Sequence, residues 1–226
     1  MNAFVTGGTG LLGRNLIHAL RWEGHRVTAL VPPGTAEMPS DPGVHFVSGS
    51  AERPSRWVSA LDSADVLFHA APPTPGVSVL AEGDEWPVSS FTTGAMLGPG
   101  DISGSAVGRW ICEFLRTGNI GPAFGGGCIV DARDIAIAMM AAAEIRARDE
   151  FVLAGHYVEY PELLHMLEEL TGRKARPNGR VMVRAGWPAG STRAVNELGV
   201  TFRPVEETLR DVIASYVPRR SAGLVA

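Results

Sequence analysis

Val5-Thr6-Gly7-Gly8-Thr9-Gly10-Leu11-Leu12-Gly13 follows a short apolar run, Asn2–Thr6, and opens an amphipathic stretch, Leu11–Trp22. Three glycines at this spacing between a strand and a helix have separate physical uses. The first permits a tight turn, the second lets backbone N–H groups approach a phosphate, and the third lets the helix sit close on the strand. The spacing predicts that Gly7, Thr9, Gly10, Leu11, Leu12 and Gly13 form a pyrophosphate-binding turn. In the stretch that follows, Leu12, Leu16, Ala19 and Leu20 recur every three or four residues, as one buried helix stripe requires, and Gly24 stops it.

Outward from that turn, β-like and helical runs alternate: Arg26–Val31, Val44–Ser48, a short helix near Ser55–Leu61, and Asp65–Ala70. Such alternation predicts a parallel sheet with right-handed crossovers. Residues Pro72–Pro87 are rich in Pro, Gly and acid and read as a surface loop, in which the adjacent Asp84 and Glu85 are solvated. Val88–Thr92 resumes a strand, and Gly94–Asp101 is a turn-rich passage into a helix carrying Val107, Ile111, Phe114 and Leu115. A short strand, Cys128–Val130, precedes an alanine-rich helix for which Asp131 or Asp134 is a candidate cap. Phe151–Ala154 reads as a strand, Pro161 to Gly172 as a helix, Val205–Val217 as another, and Pro218–Ala226 as a frayed tail.

Composition narrows the function. With 226 residues, 45% of them hydrophobic, and 19% charged, the chain has enough apolar side chains for a sizeable core. A net charge of −4 without a basic run argues against nucleic acid and anionic membranes as partners. The N-terminus lacks the basic region of a secretion signal, and the longest uncharged apolar stretch, Ile135–Ala143, is far short of the ~20 residues that span a bilayer. A cytoplasmic location is the expectation. Cys112 and Cys128 lack metal-ligand spacing and read as structural thiols, and no other residues have metal-ligand spacing.

Beyond the glycine turn, Phe68-His69-Ala70-Ala71, Gly98-Pro99-Gly100-Asp101, Val130-Asp131-Ala132-Arg133-Asp134-Ile135-Ala136, Phe151-Val152-Leu153-Ala154-Gly155, Glu168–Arg173 and Asn196-Glu197-Leu198-Gly199-Val200 complete a pattern along most of the chain. It resembles the extended short-chain dehydrogenase/reductases, in the NAD-dependent epimerase/dehydratase or dihydroflavonol-reductase-like branch. The resemblance implies an α/β, Rossmann-type doubly wound parallel sheet, here contracted, with a small C-terminal substrate lobe. It places a dinucleotide-binding core in residues 1–98 and mixed core elements with the lobe in 99–226. NAD or NADP is the implied cofactor, with His69, Ala70 and Ala71 on its side of the cleft, and a sugar nucleotide or hydroxy-carbonyl compound is the implied substrate.

The resemblance breaks at the chemistry. Family members exchange a proton through a Tyr-x-x-x-Lys helix, in which lysine lowers the tyrosine pKa. Here the one lysine, Lys174, is preceded four residues earlier by Leu170. The loop after Ala71 stands where the family carries that helix and its neighbours. Loss of those elements would uncover a sheet face, which a second subunit is expected to cover in a homo-oligomer. The positions that read the adenosine half are changed too: Val31-Pro32-Pro33 ends the second strand and Ser50 stands where an acid is expected after the third.

Candidates for chemistry are therefore His69, whose imidazole can carry a proton, Thr92 after a strand, and His156 with Tyr157 at the start of the substrate lobe. Asp101, Arg133 and Asp134 read as helix caps or mutual partners. Two functions follow: a small-molecule enzyme acting without the Tyr/Lys pair, either redox or isomerase, lyase or cyclase, and a non-catalytic dinucleotide sensor or scaffold.

Overall fold

The computed structural model describes residues 1–35, 42–71, 87–101, 105–120, 125–177 and 190–216. The Pro72–Pro87 loop, except Pro87, and the tail from Val217 onward lie outside them, as do Asp84 and Glu85. The chain forms two compact units, each built from several segments. One comprises Met1–Thr92, Ala132–Leu153 and Ala189–Thr201, the other Thr93–Asp131, Ala154–Pro188 and Phe202–Ala226. This grouping differs from a single cut near residue 98, because later segments return to complete the first unit.

In that first unit β1 (Asn2–Thr6), β2 (Arg26–Val31), β3 (Val44–Ser48) and β4 (Val66–His69) form a parallel sheet in the order β3-β2-β1-β4. Four of β1's five residues are buried, which explains its unbroken apolar character, whereas β3, at one end of the order, has none. Helix α1 (Leu11–Trp22) buries Gly13, Leu16 and Leu20; of the expected stripe Leu16 and Leu20 are buried, while Leu12 and Ala19 are half-buried. The expected helix at Ser55–Leu61 is instead two 3₁₀ turns, Pro54–Arg56 and Val58–Leu61. Trp57 separates them with an extended φ of −139° because its indole is drawn into the core. There it stacks on Phe4 with ring centroids 5.3 Å apart and donates Nε1–H to the Ser50 carbonyl at 2.8 Å. An anchor of this kind outweighs the modest propensity of one helical turn.

Strands β5 (Ser90–Thr93) and β9 (Glu150–Leu153) pair with each other. Helix α3 (Ala132–Glu144) packs on α1, and its buried face is made largely of Ala132, Ala136, Ala138 and Ala142. Asp134 is buried in its first turn, near the positive end of the helix dipole. Helix α5 (Thr192–Leu198) adds Arg193, whose guanidinium lies 5.3 Å from the Phe151 ring centroid and bridges Asp149 and Glu197.

In the second unit β6 (Ala95–Leu97) and β8 (Gly126–Asp131) run parallel, and β10 (His156–Glu159) pairs antiparallel with β8. Neither β6 nor β10 was expected: Gly94 and Gly98 disguise the first as a turn, and the second is half polar. Leu97, Ile129 and Val158 project from one face of this sheet into a core with α2 (Ala106–Thr117), α4 (Tyr160–Thr171) and α6 (Val205–Ser215). Short β7 (Asn119–Ile120) and β11 (Arg176–Pro177) pair beside α2. Two buried polar groups tie the core. Asp101 accepts from Ser105 N at 3.0 Å and Ser105 Oγ at 2.6 Å, and the same Oγ caps α2 by accepting from Gly108 N. Asp131, at the end of β8, accepts from Thr208 Oγ1 of α6 at 2.8 Å. Both acids are thus structural anchors, as capping or pairing had implied for Asp101.

Candidate functional site

The parallel sheet delivers β1 into Gly7, whose φ of +73° turns the chain sharply. A Cβ there would meet the Ala70 carbonyl oxygen at 2.6 Å, so the turn lies directly against the end of β4. Gly10 N donates to Gly7 O and Arg14 N to Gly10 O, both at 3.0 Å, while Arg14 Nε holds the Thr9 carbonyl at 2.9 Å. Gly10 is the N-cap of α1, has no side chain with which to cap it, and no acid occupies the first turn. The leading N–H groups of α1 at Leu11 and Leu12 lie where an intrahelical acceptor does not exist. Such N–H groups and the positive end of the helix dipole favour a negative charge.

The three glycines differ in what they accommodate. A Cβ on Gly13 would overlap the Gly7 carbonyl oxygen, and that overlap is with backbone. Gly10 is exposed, has φ −77° and ψ 172°, and would place a Cβ no closer than 3.4 Å to its nearest neighbour, Gly7 O. Its own fold therefore does not demand glycine at position 10. The missing side chain leaves the α1 N-terminus uncovered at this position.

His69 sits beside this turn. In the ladder of β1 and β4 it is level with Thr6, and its Nδ1 lies 2.6 Å from the buried Thr6 Oγ1, while Ala70 N donates to Thr6 O at 3.0 Å. Thr6 thus fixes the imidazole orientation. The role of Thr6 was not singled out from sequence; the signal is the equal register of the residue before Gly7 and the histidine ending β4. Ala71 also lies at the turn, its Cβ 3.0 Å from where a Cβ on Gly7 would stand. Thr9, Gly10, Leu11, Leu12, His69, Ala70 and Ala71 are hence grouped around one turn.

The other candidates have partners of their own. Thr92 donates its hydroxyl to Glu150 of the paired strand at 3.4 Å. His156 and Tyr157 belong to the second unit and, as neighbours on a strand, project from opposite faces of it. His156 lies on the side of Phe202, 3.3 Å from its carbonyl oxygen through Nε2, with the rings edge to face. Tyr157 and Glu159 share the other face, where Tyr157 is exposed and lies across Gly126, a position at which a Cβ would overlap the phenol. The hydrogen bond to Glu159 holds the Tyr157 phenol above the usual tyrosine range. We expect Glu159→Gln to bring the Tyr157 ionisation to lower pH, read as phenolate absorbance against a Tyr157→Phe control; an unchanged titration would remove Glu159 as the cause.

Burial pushes up the thiols of both Cys112 and Cys128, keeping them protonated and unreactive. Among the described residues no cluster of three His, Cys, Asp or Glu is arranged to hold a metal, and no helix is long and apolar enough to cross a membrane.

Residues 3–86, which contain the turn, the Thr6–His69 pair and the end of β4, match the model of the NAD dependent epimerase/dehydratase family. This segment is similar to that family. Two curated relatives extend the observation. A 4-hydroxy-2-methyl-3-oxo-4-farnesyl-3,4-dihydroquinoline-1-oxide ketoreductase of Stigmatella aurantiaca is 42% identical over 72 residues, 31% of this chain and 22% of that protein. An uncharacterised oxidoreductase of Schizosaccharomyces pombe is 29% identical over 101 residues, 42% of this chain and 29% of that one. The chain therefore matches under a third of the length of either relative. Among solved structures, UDP-glucose 4-epimerase of Thermotoga maritima, crystallised with UDP-glucose, superposes with a TM-score of 0.76 at 17% identity, covering 95% of this chain and 98% of that one. The fold is thus the Rossmann-like epimerase fold along nearly the whole chain.

Proposed function

We propose that this protein is a small-molecule enzyme of the epimerase/dehydratase-like short-chain dehydrogenase/reductase superfamily. In this reading it binds NAD or NADP through the Gly7–Gly13 turn and acts on a hydroxy-carbonyl, sugar-nucleotide or biosynthetic intermediate. The observation that carries the reading is Gly10: a Cβ there would stand 3.4 Å from its nearest neighbour, so packing does not require the glycine, whereas a ligand approaching the α1 N-terminus would. The ketoreductase and the UDP-glucose epimerase, relatives with carbonyl and sugar-nucleotide chemistry in their names, support the substrate class.

A nicotinamide dinucleotide would be held at its pyrophosphate by the N–H groups of Leu11 and Leu12, and when bound it supplies hydride exchange. The chain's own task is then proton transfer. The lone lysine is engaged elsewhere: Lys174 donates to Glu168 at 2.8 Å, and Glu168 also accepts from Ala175 N, so the ammonium closes the turn after α4. No Tyr-x-x-x-Lys pair is present in the sequence. His69, oriented by Thr6 beside the turn, is the residue best placed to exchange a proton in its stead.

The same commitment of Lys174 favours a second reading, in which the fold senses a dinucleotide without turning anything over. Titration of the purified protein with NAD⁺, NADH, NADP⁺ and NADPH by calorimetry tests what both share. Saturable binding is expected, and absence of binding to all four would exclude both. Hydride exchange with a carbonyl compound would then separate the enzyme from the sensor.

A further inference from the structure

The β1–β2 register sets Val5 beside Ala29, which continues to Gly7 beside Val31, and the β2–β3 register sets Val31 beside Ser48. The glycine turn, Pro32 and Ser50 therefore leave the sheet at one edge, in neighbouring strands. In a dinucleotide bound at the turn, the residue just past β2 meets the adenosine ribose, where a carboxylate selects a 2′-hydroxyl and an arginine selects a 2′-phosphate. Here that residue is an exposed proline, without charge and without an N–H.

Among the described residues nearby, the two hydroxyls each already make a bond to the backbone. The Pro32 carbonyl accepts from Thr35 N at 3.3 Å and from Thr35 Oγ1 at 2.7 Å, so the one hydroxyl of this turn is folded back on the backbone. At the end of β3, Ser50 Oγ accepts from Glu52 N at 3.3 Å, and Ser50 O accepts from Arg53 N and from Trp57 Nε1. Beyond Ser50, the first two charged side chains in sequence are Glu52 and Arg53, one of each sign and both exposed.

We propose that this edge of the protein recognises the pyrophosphate and not the ribose, so that NAD and NADP bind with nearly equal affinity, and that Pro32 is the position that sets this indifference. The inference rests on the dinucleotide reading above and deepens it. A charged group at position 32 restores discrimination: Pro32→Asp favours the free 2′-hydroxyl as acceptor of its hydrogen bond and repels a 2′-phosphate, while Pro32→Arg does the reverse.

Calorimetric titration of the full chain with NAD⁺ and with NADP⁺ tests it without any need for turnover. The wild-type dissociation constants are expected to agree within about threefold. Pro32→Asp is expected to shift the ratio toward NAD⁺, and Pro32→Arg toward NADP⁺, by about tenfold or more, the size of one charge-assisted hydrogen bond. A wild-type preference above about tenfold for either cofactor, again the worth of one charged contact, overturns the proposal while leaving dinucleotide binding intact. An unchanged ratio in both folded variants also overturns it. Failure of the wild type to bind either one overturns the dinucleotide reading and this inference together.

Discussion

Gly10→Val is expected to leave the protein folded and to abolish its dinucleotide binding. A Cβ at this position has 3.4 Å to its nearest neighbour and the backbone is in an ordinary extended conformation, so the added Cβ meets neither overlap nor strain. The remaining cost is that of a poorer N-cap, about 1 kcal/mol. Binding is different, because the valine methyls occupy the space through which a pyrophosphate reaches the N–H groups of Leu11 and Leu12. Loss of two charge-assisted hydrogen bonds corresponds to a fall in affinity of about 100-fold or more. Calorimetry with the four nicotinamide nucleotides and a thermal melt on the same sample check the two halves. Unimpaired binding in the folded variant would show that the ligand does not approach α1 at Gly10.

The third glycine of the same turn is expected to behave in the opposite way. In Gly13→Ala the new methyl overlaps the Gly7 carbonyl, and it also stands 2.7 Å from Gly7 C and from Gly8 Cα. These are backbone atoms held by the β1–β4 ladder and by the 3.0 Å bond from Gly10 N to Gly7 O, so relief requires α1 to move off the sheet. Such overpacking costs about 3 kcal/mol, from which the better helix propensity of alanine recovers at most about 1. A lower denaturation midpoint with unchanged m-value is the expected result in urea. Equal stability of Gly13→Ala and the wild type would mean that α1 does not sit against Gly7 as described. The pair separates a glycine kept open for a ligand from one required by the packing of its own chain.

Much of the first unit was legible because its signals are local. The order of glycines after Thr6, the stripe of Leu12, Leu16 and Leu20 and the apolar runs of β1 and β2 each depend on residues within one or two turns of chain. Trp57 shows where locality ends. The run from Ser55 to Leu61 reads as a helix until the stacking of Trp57 on Phe4, fifty-three positions earlier, breaks it in two. Likewise β10 carries one buried residue in four, and its pairing with β8 is what makes it a strand.

The sequence by itself determined the α/β class, the glycine-rich turn with its strand and helix, and the want of a Tyr-x-x-x-Lys pair. Each of these is written in residues close together in the chain, where steric freedom, periodicity and side-chain identity act directly. Only the tertiary structure decided that Thr6 orients His69, that His156 and Tyr157 face away from each other, that Lys174 is committed to Glu168, and that Gly10 differs in kind from Gly13. Those facts depend on which strands pair and in what register, and register is set by the summed burial of whole faces, which no short stretch of sequence contains.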